Sequence, residues 1–169
     1  MIVGVLSDTH DSIVNLEKAI KVFKNRGVSA VIHLGDFVAP FTLRLLLDSL
    51  NVRFEGVFGN NDGERLGLVK IASLYNGILG EQPRIVPLGG RRILLAHGFG
   101  DPESTYEVVR GLVESGRWDA VFYGHTHEAS IEYVRGKLLL NPGDGGGALN
   151  KPTVAIVDLT SLRARLVDL

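Results

Sequence analysis

Ile2-Val3-Gly4-Val5-Leu6, followed at once by Ser7-Asp8-Thr9-His10, sets a pattern that this chain repeats. A short, unbroken apolar run reads as a strand buried on both faces, because a strand with one wet face would alternate polar and apolar residues. The run then stops in a cluster of aspartate and histidine. Four later stretches do the same: Val31 to Leu34 before Gly35-Asp36, Phe54 to Phe58 before Gly59-Asn60-Asn61-Asp62, Ile93 to Ala96 before His97-Gly98, and Val121 to Tyr123 before Gly124-His125-Thr126-His127.

Between these runs the period changes. Ser12 to Asn25 places Ile13, Leu16, Ile20 and Phe23 at helical spacing, with Ser12 or Asp11 as the cap, and Phe41 to Leu50 is a second apolar helix behind Pro40. With strands at Ala30 to Leu34 and Val52 to Phe58, the first half reads as consecutive βαβ units, hence a parallel sheet. Glu64 to Tyr75 reads as helix. Arg84 to Leu88 and Arg91 to Ala96 then form a hairpin at Gly89-Gly90, Thr105 to Glu114 a helix, and Ala120 to Tyr123 a strand. Ile131 to Val134 pairs with Leu138 to Leu140, and Thr153 to Asp158 with Arg163 to Val167 around Thr160 and Ser161. Helices early and hairpins late predict an α/β fold of two sheets covered by helices.

The chain has 169 residues, 45% of them hydrophobic, which suits one domain over residues 1–169 with a core that needs no staples. A formal net charge of −1 with interspersed signs gives no cationic stripe for nucleic acid. There is no apolar stretch of membrane-spanning length and no basic leader before Ile2, so a cytoplasmic location is the expectation. Without cysteine, thiol catalysis and zinc ribbons are excluded, and histidine and carboxylate are the strong metal ligands that remain.

In open α/β sheets the carboxyl ends of parallel strands open on a common crevice, so residues from 8 to 127 can meet there. Several carboxylates, four imidazoles and an amide without a matching cluster of lysines would repel or change protonation unless cations stood among them. Two divalent ions about 3.5 to 4 Å apart, with one aspartate shared between them, form the clamp that serves phosphoryl hydrolysis.

Asp8-Thr9-His10, Gly35-Asp36, Gly59-Asn60-Asn61-Asp62, His97-Gly98 and Gly124-His125-Thr126-His127, in this order and spacing, resemble the motifs of the calcineurin-like metallophosphoesterase superfamily. The compact length and Asn141-Pro142-Gly143 are similar to its small bacterial and archaeal YfcE-type phosphodiesterases. The resemblance covers nearly the whole chain and implies a four-layer αββα sandwich with two mixed sheets. It implies a first ion on Asp8, His10, Asp36 and His127, and a second on Asp36, Asn60, His97 and His125, with Asp36 as the bridge. Asp36, Asn60 and His97 would carry the catalysis, and hydroxide formed from water between the ions would attack the phosphorus of a small phosphate ester, a diester in preference to a monoester. Imidazole and oxygen ligands suit manganese, iron, cobalt, nickel or zinc, and the resemblance favours manganese. The rival implied by the same fold is a non-catalytic scaffold such as the retromer subunit, although here every ligand position carries a competent side chain. A homo-oligomer is compatible with the sequence.

Two positions depart from the pattern. Asn61 stands where many members place a histidine that helps the leaving oxygen, and an amide is no general acid, so good leaving groups should be favoured. Asp144 stands where relatives often have serine, and a carboxylate facing the pocket would disfavour dianionic monoesters. Other polar residues have plainer expectations. His33 is a satisfied histidine of the core or behind the ligands rather than a ligand, Asp62 caps the helix near Glu64 in preference to orienting a neighbour in the pocket, Asp11 caps the first helix, Asn141 is a turn residue rather than a substrate contact, and Arg91 and Arg92 face solvent.

Overall fold

In the computed structural model, which describes residues 1–169, the elements follow in the order β1 (Ile2–Leu6), α1 (Ile13–Asn25), β2 (Ala30–His33), α2 (Pro40–Leu50), β3 (Arg53–Val57), α3 (Arg65–Leu74), β4 (Ile78–Gly80), β5 (Arg84–Leu88), β6 (Arg91–Leu95), α4 (Pro102–Glu114), β7 (Ala120–Phe122), β8 (Ser130–Val134), β9 (Lys137–Asn141), β10 (Thr153–Asp158) and β11 (Arg163–Asp168). Six strands form one sheet in the order β11-β10-β1-β2-β3-β4, and five form a second in the order β5-β6-β7-β9-β8. In the first, β1 to β4 run parallel, β10 joins β1 antiparallel, and β11 joins β10 antiparallel. In the second, β6, β7 and β9 are parallel and the edges β5 and β8 antiparallel. Both sheets are mixed, as expected.

The layering explains why the strands lack polar alternation. Along β1 and β2, Val3, Val5, Ala30 and Ile32 point into a core shared by the two sheets, while Leu6 and Val31 point to the helices on the outer face. Each residue is apolar because each face is covered. Helix α1 buries Leu16, Ala19, Ile20 and Phe23, the i, i+3, i+4, i+7 stripe that a helix lays on a sheet. Helix α4 covers the second sheet with Val109 and Val113, packed among Leu94, Val121 and Leu139. The result is the four-layer αββα sandwich. No helix is long and apolar enough to cross a membrane.

The structure departs from the sequence reading in several places. Strand β4, three residues long, pairs parallel with β3 and was not anticipated. Helix α4 starts a turn earlier than Thr105, with Asp101 as N-cap accepting from Ser104 N and Pro102 in the first turn. Asp11 does not cap α1; its Oδ1 accepts from Ala39 N (3.0 Å) and Thr42 Oγ1 (3.0 Å), so it fastens the start of α2, and Ser12 makes no side-chain cap bond. Arg92 is exposed and lies over the Trp118 ring, but Arg91 is half-buried and donates to the Leu159 and Thr160 carbonyls.

Candidate metal centre

The strands β1, β2 and β3 of one sheet and β6 and β7 of the other all end on the same side of the sandwich, and their following turns interlock. Asp8 N donates to Gly35 O (3.0 Å), His10 N to Asp36 O (3.1 Å), and Gly124 N to His97 O (3.1 Å). His125 N reaches across the two sheets to Asp8 Oδ2 (3.0 Å). Asp8, His10, Asp36, His125 and His127 all have φ between 41° and 69°, the left-handed region that side chains rarely adopt. Such backbone persists where surrounding bonds enforce it, and it clusters at functional sites.

The side chains converge. Asp8, His10 and His127 present donor atoms within 4.8 Å of one another, and Asp8, Asp36 and His97 do the same. Asp36 Oδ2 lies 3.6 Å from His10 Nε2 and 3.5 Å from His97 Nε2, and Asp8 Oδ1 lies 3.6 Å from His127 Nε2 and 4.0 Å from His97 Nε2. Asn60 Oδ1 is 2.9 Å from His97 Nε2. His125 joins through its ring, set edge-on to His97 at 5.1 Å between centroids. Short contacts thus link all seven residues expected at the site, through His97 and the two aspartates.

The second partners of the histidines fix which nitrogen faces inward. His97 Nδ1 donates to Leu34 O (2.7 Å) and His125 Nε2 to Gly100 O (2.6 Å), leaving His97 Nε2 and His125 Nδ1 as the nitrogens free to ligate. His127 Nδ1 lies 3.0 Å from Asp144 Oδ2, without the alignment of a straight hydrogen bond, which turns its Nε2 toward Asp8. Asp144 is thus behind His127, with its carboxylate also accepting from the backbone N–H groups of Gly147, Leu149 and Asn150. It is fully buried and engaged there, so the expected charge discrimination against monoesters finds no support in its position.

Electrostatics express the same demand. Burial raises the pKa of the Asp8 carboxyl. Burial also opposes charge on Asp36, but the nearby His97 ring and the hydrogen bonds from Asn61 more than offset this and hold it well below the usual carboxylate range. Burial works against a charged His97, yet the Asp36 carboxylate 3.5 Å from its Nε2 and the charge of Asp8 prevail and raise it. Asp8 Oδ1 and His10 Nε2, both buried, have no hydrogen-bond partner in the protein. Two orphaned lone-pair atoms beside two aspartates fit a divalent cation, which would supply the missing partner.

Several residues that hold this frame were read differently or overlooked. Asp62 is no helix cap: its buried carboxylate accepts from the backbone N–H groups of Asp36, Phe37, Val38 and Gly59 at 2.8 to 3.0 Å. Asn61 turns inward, its Nδ2 donating to Asp36 Oδ2 (2.7 Å) and its N to Asp36 Oδ1 (2.8 Å). Asn141 is fully buried, donating to Gly124 O and Thr126 Oγ1 to anchor the loop between His125 and His127. Gln82, which carries no sequence signal, accepts from His97 N (2.6 Å) and Gly98 N (3.1 Å). His33 is the satisfied core histidine expected, 3.0 Å from Thr9 Oγ1, stacked on Phe37 and kept neutral by burial. Two glycines permit the close approaches. A Cβ on Gly59 would lie 2.1 Å from Asp36 Oδ1, and one on Gly146, in the glycine-rich loop laid over Asp8, would lie 2.6 Å from Thr9 O.

Residues 1–162 match the calcineurin-like phosphoesterase superfamily domain, and the chain belongs to that family. It is 36% identical over 160 residues to phosphodiesterase MJ0936 of Methanocaldococcus jannaschii, covering 94% of this chain and 93% of that one. Among solved structures, an archaeal phosphodiesterase superposes with a TM-score of 0.90 at 35% identity over the full length of both chains. Vps29 of Chaetomium thermophilum superposes with a TM-score of 0.70 at 17% identity, covering 100% of this chain and 93% of that one, a likeness of fold alone.

Proposed function

We propose that this protein hydrolyses phosphate diesters at a pair of divalent cations, manganese by preference, within a single domain spanning residues 1–169. The observation that carries the reading is the convergence of Asp8, His10, Asp36, His97 and His127 on two groups of donor atoms, with buried lone pairs on Asp8 and His10 that no protein atom satisfies. Asp8, His10, Asp36 and His127 would hold one cation, and Asp36, Asn60, His97 and His125 the other. Asp36 suits the shared position because its Oδ2 faces histidines of both groups. Divalent cations held by these residues would supply Lewis acidity, toward water and toward the oxygens of the transition state.

The protein's own part is positioning. Asp62 and Asn61 fix Asp36, Leu34 and Gly100 set the His97 and His125 rings, and Asp144 sets His127, so the donors need no rearrangement as charge develops. Asn61 is spent on Asp36, and an amide cannot protonate a leaving oxygen. The diester preference rests on the relative named a phosphodiesterase, aligned over nearly the whole chain. A manganese-supplemented screen of aryl diesters, monoesters and cyclic nucleotides, with Asp36→Asn as the control, tests it. Hydrolysis of diesters by the wild type and not by the variant is expected; wild-type protein inert on every ester would overturn the proposal in favour of a scaffold.

A further inference from the structure

One cavity, about 350 Å³ in volume, opens directly on the proposed second cation, with Asn60, His97 and His125 in one wall and Phe58, Arg65 and Glu81 in another. The opposite wall is unusual because its cation is held in place. Arg65 Nε donates to Asp62 O (3.1 Å), the backbone of the residue whose carboxylate clamps the Asp36 loop, and its guanidinium lies 5.0 Å from the centre of the Phe58 ring. Nη1 pairs with Glu81 at 2.7 Å, and Nη2 has no protein partner. Arg65 is 45% exposed but tethered by the Asp62 carbonyl and the Phe58 ring, whereas Glu81 is 70% exposed and has no other ion pair, so Glu81 is the more easily displaced member. An ion pair this exposed contributes little, about 1 kcal/mol or less.

We infer that Arg65 is a specificity residue that receives a second anionic group, a carboxylate or phosphate, carried on the part of the substrate away from the reacting phosphorus. This deepens the phosphodiesterase reading and rests on it. The guanidinium fork binds such oxyanions two bonds at a time, which a lysine cannot do. The incoming anion takes Nη2 together with the Nη1 position that Glu81 vacates, while the Nε bond and the Phe58 face keep the fork aimed into the cavity. Glu81 then acts as an internal competitor, occupying Arg65 when the substrate lacks the second charge.

Calorimetric titration of the manganese-loaded protein with phenylphosphonate, 3-phosphonobenzoate and 4-phosphonobenzoate tests this without turnover, since the phosphonate is held at the cations and only the carboxylate varies. At least one carboxylated probe is expected to bind roughly tenfold tighter than phenylphosphonate, the effect of a charge-assisted pair at a partly exposed site. Arg65→Gln should erase that advantage, Arg65→Lys restore part of it, and Glu81→Gln enlarge it about threefold by removing the competitor. Phenylphosphonate binding should move less than about twofold in each variant, which a merely structural role for Arg65 would not predict. An advantage that is absent in the wild type, or that survives Arg65→Gln, overturns the inference. Hydrolysis of 4-nitrophenyl phenyl phosphate in the same preparations reports on the phosphodiesterase reading separately, so each can fail alone.

Discussion

Changing Asp62 to asparagine preserves the size of the side chain and removes its charge where both oxygens are fully engaged. Oδ1 accepts from Phe37 N and Val38 N, and Oδ2 from Asp36 N and Gly59 N. An amide has one oxygen and one NH2, so in either orientation two backbone donors confront another donor. Losing two bonds to a charged acceptor, each contributing about 1.5 to 3 kcal/mol, should destabilise the fold by about 3 to 6 kcal/mol, a large part of a domain's usual margin of about 5 to 15. Urea unfolding of the chelated wild type and variant measures this as a lower midpoint at unchanged slope. Manganese affinity should fall too, because the same bonds hold the backbone of Asp36. A destabilisation below about 1 kcal/mol would refute the claim that the four bonds hold the Asp36 loop.

The raised pKa of His97 predicts a pH dependence for the metal-free fold. A histidine that binds its proton more tightly folded than unfolded adds stability that is complete below its unfolded value of about 6.5 and is lost as pH rises through the folded value. Asp8, raised chiefly by burial, acts in the same sense at more acid pH. The melting temperature of chelated protein should therefore drop through the neutral range and flatten in His97→Gln; parallel profiles for the two would contradict the assignment. Asp144→Asn should weaken manganese binding by about 10- to 100-fold through His127. Because Asp144 sits behind that ring, monoester and diester turnover should fall together, and a selective gain for monoesters would show that the carboxylate reaches substrate after all. With Asn61 bound to Asp36, rates across a series of diesters should decline as the leaving-group pKa rises, and a level series with chemistry limiting would reveal an unidentified acid.

What the sequence disclosed and what it concealed have separate physical causes. The strand ends at Asp8, Asp36, Asn60, His97 and His125 were legible because unbroken apolar runs mark strands covered on both faces, and parallel strands bring their carboxyl ends together wherever they occur in the chain. Strand β4 was not, because Ile78-Leu79-Gly80 is too short to show a period and is defined only by pairing with β3. The place of β10 beside β1 was equally hidden, since a terminal hairpin carries no local mark of which sheet it joins. Asp62, Asp11 and Asp144 were misread for a shared reason. Each satisfies backbone N–H groups distant in sequence or in a neighbouring turn; for Asp62 and Asp11 an aspartate near a helix start looks the same whether it caps that helix or clamps another loop, and for Asp144 the sequence does not tell a carboxylate facing the pocket from one folded back on its own loop. Arg65 and Gln82 stand in unremarkable surroundings and gain meaning only from the cavity they line.

The most direct test is to titrate manganese into fully chelated protein while following both bound metal and hydrolysis of an aryl phosphodiester. The proposed two-cation site predicts activity that rises with cation occupancy and levels off at two equivalents per chain, with Asp36→Asn failing at both. Full hydrolysis in protein verified to be metal-free, or saturation without any bound cation, would contradict it.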